Sequence, residues 1–546
     1  MGKFEDTSRI IANDFLQSIL FIDDQAYQEE GDARNDLDPF EISKIFAKEQ
    51  KICSVLNPTN EAELTNILHI AVKADVIVID WRLDLQNDEP GDEESEDEEA
   101  DVDDHRGAFT LKFIKQLFED SMFINSGLKL IVIYTGETNL FDITDQVYEQ
   151  VITVSEAVKG NFRVEGENFK ILIAGKPSLA TVRVREIKKQ SKKYKELPSF
   201  ILNEFAEMTS GLVSNVALSA ISSVRKNSFK ILQQYNKQMD PAFLSHRAML
   251  PLPDDAGELL KDSIVNSFQA IIDYEKVEEL CSFKHVRNWL DSHNFIEQQL
   301  KVQKKDLVLK KKDLKKWQQD GFHKTVDTIW TQQFPGIDLD QNKVQTRYRE
   351  LHKNWNDYFF PEEFGGSEPN EKFSILTHHK SNFANPSYVP KLSLGAVVKG
   401  TKSNKYWLCI QQKCDSVRIL DGEARRFLFL PLDEVSGNGK FNFLVEYETA
   451  YVKLQIDFSS HNLRTVKYKS NKDGMVIARR YGKSKKYFFH PIYFKSGSNR
   501  TIHQNYIWIM DLKDSHAQRA ANHYASTLSR IGLDESEYLR RWAGNK

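Results

Sequence analysis

No apolar run in this chain approaches the length of a membrane span, and its 546 residues hold only four cysteines, Cys53, Cys281, Cys409 and Cys414. The first absence removes transmembrane helices from consideration. The second removes a disulfide scaffold, because four scattered thiols cannot staple a chain of this size. In Y-W-L-C-I-Q-Q-K-C-D, Cys409 and Cys414 stand five residues apart, which places them on opposite faces of an extended chain. A metal pair is therefore not expected there, and both read as buried or half-buried structural thiols. Charge of one sign is also scarce, with 74 basic against 79 acidic side chains and a formal net charge of −5. Such a balance gives no reason to expect a nucleic-acid or membrane partner. The start M-G-K-F-E-D has no basic-then-apolar leader, and Asp6 interrupts a myristoylation match, so a cytoplasmic location is expected. The last third lacks a hydrolase triad, a phosphate-binding glycine loop and a metal cluster, and no helix-turn-helix pair is evident. His246, in F-L-S-H-R-A-M-L-P, is followed too closely by prolines to sit on the long bundle helix that a phosphotransfer histidine needs.

What is present begins with V-I-V-I-D-W-R-L, residues 76–83, an unbroken apolar run that delivers one carboxylate, Asp80, at its end. Runs apolar on both faces are the mark of buried parallel strands. Three more have the same build: Ile19–Ile22 ends in Asp23-Asp24, Leu130–Tyr134 in Thr135-Gly136, and Phe169–Ala174 in Gly175-Lys176-Pro177. A further strand is expected at Ile52–Leu56, and helices are expected at Phe4–Phe15, Pro39–Lys48 and Asn60–Lys73. The alternation predicts a doubly wound α/β sheet of order 2-1-3-4-5, with ligand chemistry at the carboxyl ends of its strands.

Two acids, a third acid, a hydroxyl and a lysine, each closing an apolar run, make residues 1–190 resemble a response-regulator receiver domain of flavodoxin-like fold. The resemblance implies that Asp80 is the phosphoacceptor, carried as 4-aspartylphosphate. It implies Mg²⁺ held by Asp23, Asp24, Asp80 and the backbone carbonyl of Arg82, and it places Thr135 and Lys176 on the phosphoryl oxygens. The chemistry suits these groups: a carboxylate can attack phosphorus, hard oxygens suit Mg²⁺, and a cation neutralises charge opposite the metal. Two departures stand out. The motif strands are spaced widely, through an acidic insertion at 88–104 expected to be disordered and through Asp142–Glu167, read as a helix and a hairpin-like connection. Ile173 occupies the position three before the lysine where output receivers carry a switch Tyr or Phe, which puts the usual output coupling in doubt.

Length predicts roughly three domains. After the basic segment 188–195 and Pro198, a helical domain is expected over 191–360, with Lys301–Trp317 as a solvated basic helix. A Gly/Pro/Ser/Asn-rich linker is expected over 361–390, then a β-rich domain over 391–546 ending in helices at Ser515–Ser529 and Glu535–Trp542. The fold class is thus multidomain α/β, α and β. The run R-R-Y-G-K-S-K-K-Y-F-F-H reads as a charged strand edge. An expanded receiver followed by helices and a β-rich end without an effector resembles the accessory receiver proteins of bacterial antiphage defensive two-component systems. That likeness implies a sensor histidine kinase as partner, a second receiver-effector protein sharing that kinase, and a phosphate-buffer role. A nucleic-acid-binding response regulator and a receiver-shaped scaffold that takes no phosphate remain as alternatives.

Overall fold

The computed structural model describes residues 2–27, 37–85, 107–120, 123, 128–250, 252–293, 295, 297–302, 305–337, 368–380, 388–437, 439–480, 486–492 and 504–528. The acidic run 88–104 and the expected helix at 535–542 lie outside them. The chain forms two compact units, residues 1–294 with 311–329, and residues 295–310 with 330–546.

The first unit is built on a seven-stranded sheet. Its strands are β1 (Ser18–Ile22), β2 (Ile52–Leu56), β3 (Val76–Ile79), β4 (Lys129–Thr135), β5 (Val158–Gly160), β6 (Arg163–Glu165) and β7 (Phe169–Gly175), in spatial order β2-β1-β3-β4-β7-β6-β5. The five long strands are parallel in the anticipated order, with β7 as the fifth. Asp142–Glu167 is a helix and a hairpin as expected, and the hairpin β5–β6 adds antiparallel strands beyond β7.

Every residue of β3, β4 and β7 is buried. Their even-numbered and odd-numbered side chains feed two separate cores. One core lies against α3 (Glu61–Ala71), α4 (Ala108–Glu119) and α5 (Leu140–Ile152), and takes Ile77, Ile79, Ile131, Ile133, Ile171 and Ile173. The other takes Val76, Val78, Leu130, Val132 and Leu172, and is covered by α1 (Lys3–Phe15) and α2 (Pro39–Lys48). That second layer also needs Ile201, Phe205 and Ala206 of a later helix, Leu197–Thr209, so the fold draws on residues past the boundary expected near 190. Pro198 stands in the first turn of that helix, where its missing N–H costs nothing, and opens an element instead of closing a domain. A 23-residue helix, Leu212–Gln234, follows and packs on α1, with Asn215 donating to Ser8 and Ser222 to the Asp14 carbonyl.

Among the described residues, the middle of the chain is mainly helical, with a hairpin interrupting it. Residues 298–309, which overlap the solvated helix expected over Lys301–Trp317, form an antiparallel hairpin of β8 (Gln298–Val302) and β9 (Lys305–Leu309), and helix starts only at Lys311. Leu300, Val302, Leu307 and Leu309 alternate with period two, which is strand patterning. Within the expected linker, Glu368–His378 is helical; Pro369 lies in its first turn and Glu368 favours the positive end of the dipole.

The second unit carries a nine-stranded antiparallel sheet. Its centre is the eleven-residue strand Ala424–Glu434, paired with Tyr406–Cys409 on one side and on the other with Arg464–Lys469 and then Ala450–Ile456. Tyr506–Asp511, not anticipated, pairs with Ala396–Gly400. Val417–Leu420, within the β-rich region, is irregular, with Arg418 in the left-handed region (φ 59°). Helix Asp514–Leu528 lays Ala517, Ala520, Ala521 and Tyr524 on one face. Cys409 is buried as expected, whereas Cys414 is exposed, because the strand ends at Cys409 and Cys414 falls in a short helix.

Candidate functional site

The site lies at the carboxyl edge of the parallel sheet. There β1 releases Asp23 and Asp24, β3 releases Asp80, β4 ends on Thr135, and β7 is followed by Lys176. All five residues are at least nine-tenths buried, a placement that charged groups tolerate only when paired. The pairing is centred on Lys176, whose Nζ donates to Asp80 Oδ2 at 2.9 Å and to Asp23 Oδ2 at 3.1 Å. The other oxygens are held by backbone: Asp80 Oδ1 accepts from the Trp81 N–H at 2.7 Å, Asp23 Oδ1 from the Gln25 N–H at 2.9 Å, and Asp24 Oδ2 from the Asp84 N–H at 3.2 Å. Asp24 Oδ1 is buried with no hydrogen-bond partner.

These contacts set the electrostatics. Burial outweighs the attraction of Lys176 and, helped by repulsion from Asp23, holds the Asp80 carboxyl above the usual carboxylate range. Burial, opposed by the Asp84 N–H and reinforced by Asp23, pushes Asp24 up to about 6. For Lys176 burial acts the other way, yet Asp80 and Asp23 together raise its affinity for the proton above that of a free lysine. The cluster is short of positive charge, with one ammonium against three carboxylates.

Asp23, Asp24 and Asp80 each present one oxygen within 4.8 Å of the others. Three hard anionic donors, one of them orphaned at Asp24 Oδ1, fit a divalent cation such as Mg²⁺. Arg82 follows two residues after Asp80, and its exposed guanidinium pairs with Asp84 at 3.2 Å. Thr135 is buried, its hydroxyl accepting from the Glu137 N–H at 3.2 Å, and its carbonyl accepts from the Lys176 N–H at 2.7 Å, which ties the ends of β4 and β7 together.

Three supporting groups were not singled out in the sequence. Thr110, in the first turn of α4, donates to the Asp80 carbonyl at 2.8 Å. Gly107, just before that helix, adopts φ +95°, and a Cβ there would meet the Trp81 indole at 2.3 Å, so the chain closes directly on the residue after Asp80. The segment after β7 returns to the site: Lys192 N–H donates to the Gly175 carbonyl at 2.8 Å, Ser191 Oγ to the Lys176 carbonyl at 3.1 Å, and Tyr134 OH to the Lys192 carbonyl at 2.7 Å. A glycine opening the helix after an acidic run was a readable signal; the return of 191–192 was not, because it depends on tertiary placement. Asp75 gives a useful contrast. It is equally buried at the opposite end of β3, but it accepts from Gln17 and Ser18 N–H and pairs with Arg225, which makes it a structural anchor.

Among the described residues no helix is long and apolar enough to cross a membrane. Neither a curated protein nor a solved structure matches the chain. The family model of the response receiver domain matches residues 15–181, so the part of the chain that carries Asp23, Asp24, Asp80, Thr135 and Lys176 is a response receiver domain.

Proposed function

We propose that Asp80 accepts a phosphoryl group from the phosphohistidine of a sensor kinase and that the chain serves as a phosphate sink for that kinase. The observation that supports this most directly is Lys176 bridging Asp23 and Asp80 beside the orphaned oxygen of Asp24. A carboxylate oxygen of Asp80 attacks phosphorus, the bond from phosphorus to the kinase imidazole breaks, and that nitrogen leaves with the electron pair. Lys176 favours the ionised form of Asp80 against the cost of burial before the attack and is placed to neutralise the acyl phosphate after it. Thr135, at the end of the neighbouring strand, supplies a hydroxyl for a phosphoryl oxygen. Asp23, Asp24 and Asp80 would hold Mg²⁺, which offsets charge on the transferring group.

The sink role draws its support from two features. Ile173 is packed between strand and helix at the place of the switch ring, and no effector motif follows the receiver. A role in antiphage defence, beside a second receiver-effector protein, rests on the likeness of the whole-chain layout. Incubation with a small-molecule phosphodonor and Mg²⁺ should add one phosphoryl group by intact mass, and Asp80→Asn should remove it while leaving the fold intact, read from the far-ultraviolet spectrum. Labelling of the variant would sink the acceptor assignment. In cells, Asp80→Asn should raise the output of whatever receiver shares the kinase. A fall in output would instead identify this chain as the output regulator, and no change would favour a scaffold.

A further inference from the structure

The formal charge of −5 conceals a segregation of charge along the chain. Residues 391–546 hold 27 basic and 14 acidic side chains, a net +13, whereas residues 1–390 hold 47 basic and 65 acidic ones. The excess is concentrated between Arg464 and Arg500, where eleven basic side chains accompany one acid, Asp473. A basic end on an acidic chain is the first sign of a polyanionic partner.

The sheet of the second unit closes on itself. From strand Ala424–Glu434 the pairing runs through Tyr406–Cys409, Ala396–Gly400, Tyr506–Asp511 and Tyr487–Phe489. The continuation of the last strand bridges back from Pro491 to Tyr468 of Arg464–Lys469, which itself pairs with Ala424–Glu434. Phe427, Val466, Tyr468, Phe489 and Tyr506 fill this barrel. Successive side chains alternate between the faces of a strand, so the neighbours of these residues point outward. On the outside Arg426 stands directly opposite Lys467, with Lys469 two residues on, and Phe488 stands opposite Arg479 of the adjoining strand Arg479–Arg480. One outer face, four strands wide, therefore carries four cations and an aromatic ring.

The charge on this face is not compensated. Arg426 and Lys467 are like charges directly across a ladder, an arrangement that costs stability in the free chain. Among the described residues neither Arg426 nor Lys469 meets a carboxylate, and Glu423 is taken by Arg425 at 3.7 Å. Protection of a sheet edge accounts for Arg479 and Arg480, which lie on the edge strand, but not for Lys467 and Lys469. Their strand is paired on both sides, with Ala424–Glu434 and with the closing segment, whose Ile492 N–H donates to the Lys467 carbonyl at 2.8 Å.

We propose that this outer face of the barrel binds single-stranded nucleic acid, with its cations on the phosphates and Phe488 beneath a base. The layout selects the occupant. Four strands at ~4.8 Å spacing spread the cations over about 14 Å, which suits a chain of phosphates and not one phosphate group. Phe488 among them, and the Arg480 guanidinium 4.3 Å from the centre of the Tyr487 ring, supply the mixture of rings and cations on which unpaired bases stack. A membrane surface would call for apolar side chains standing clear of the sheet, and Phe488 is half-buried.

Titration of the full chain with a labelled single-stranded RNA of about 20 nucleotides, longer than the site of one small barrel, tests this. The logarithm of the affinity should fall against the logarithm of salt concentration with a slope of about −3, as expected for four phosphate contacts to a single strand. Lys467→Gln with Lys469→Gln should make that slope shallower by about 1.4 and lower the affinity about 25-fold at 0.1 M salt. Phe488→Leu should weaken binding about 5-fold or more with the slope unchanged, because it removes stacking and no charge. Absence of binding at tens of micromolar overturns the proposal, as does a lysine double variant that binds like the native chain with an unchanged far-ultraviolet spectrum. Tighter binding of the corresponding duplex would overturn the single-strand assignment. Binding of phosphatidylserine vesicles without RNA would overturn it in favour of a membrane surface. Asp80 labelling, measured on the same variants, should stay at the native level, so failure of this proposal leaves the phosphoacceptor reading standing and the reverse also holds.

Discussion

Asp24 is the residue at which burial and function conflict most visibly. Its carboxyl takes up a proton at about 6 in the fold and near 3.8 when free, so the folded state binds that proton more tightly. The stability from this preference is present below the free value and is lost as pH rises through about 6. Asp24→Asn cannot ionise. In chelator it should therefore melt higher than the native chain at pH 7.5, by about 1–2 kcal/mol, with the gain vanishing near pH 4. Added Mg²⁺ should reverse the order, because only the native site recovers binding energy. Melts at the two pH values, with and without Mg²⁺, decide the matter; a gain independent of pH would remove the electrostatic explanation. Lys176 poses the complementary case: Lys176→Met leaves Asp23 and Asp80 facing each other without a cation and should cost about 3–5 kcal/mol at neutral pH, read from denaturant unfolding. The five side chains were legible because each ends an apolar run, and a buried parallel strand writes its boundary plainly. Asp84, Thr110 and Trp81 were not, since they act through backbone groups or on a carbonyl, and no residue type announces that role.

At the scale of elements, the entry to α4 is exacting. Gly107 combines a left-handed backbone with contact against Trp81, so Gly107→Ala should cost about 2–4 kcal/mol and slow phosphorylation through displacement of Trp81 and Thr110. Unchanged melting would mean that the loop relaxes freely. The segment 191–192 is the second element tied to the site. Tyr134→Phe removes one hydrogen bond and orphans the Lys192 carbonyl, at a cost of about 1–2 kcal/mol, with faster amide exchange confined to residues near 190–196. The central strands and flanking helices of the receiver were readable from period alone. Hairpin 298–309 is masked by a lysine-rich composition that reads as a solvated helix, although its apolar residues alternate with period two. Strand Tyr506–Asp511 was lost because its partner, Ala396–Gly400, lies more than a hundred residues earlier and pairing at that distance leaves no local trace.

For the whole molecule, each unit has its own buried core, one around the parallel sheet and one around the antiparallel sheet. Calorimetry should resolve two transitions, and Asp24→Asn should move one while leaving the other in place. A single transition that shifts as a whole would mean that the units unfold together. The order of the chain through these units has a further consequence. It leaves the first unit after residue 294, returns at 311 and leaves again at 329. No single cut releases both units intact: a truncation at 294 deprives the first of residues 311–329, and one at 330 carries the β8–β9 hairpin away from the second. The first unit is therefore stitched in, not appended, and moving it as a block into another protein would require carrying a piece of its neighbour along.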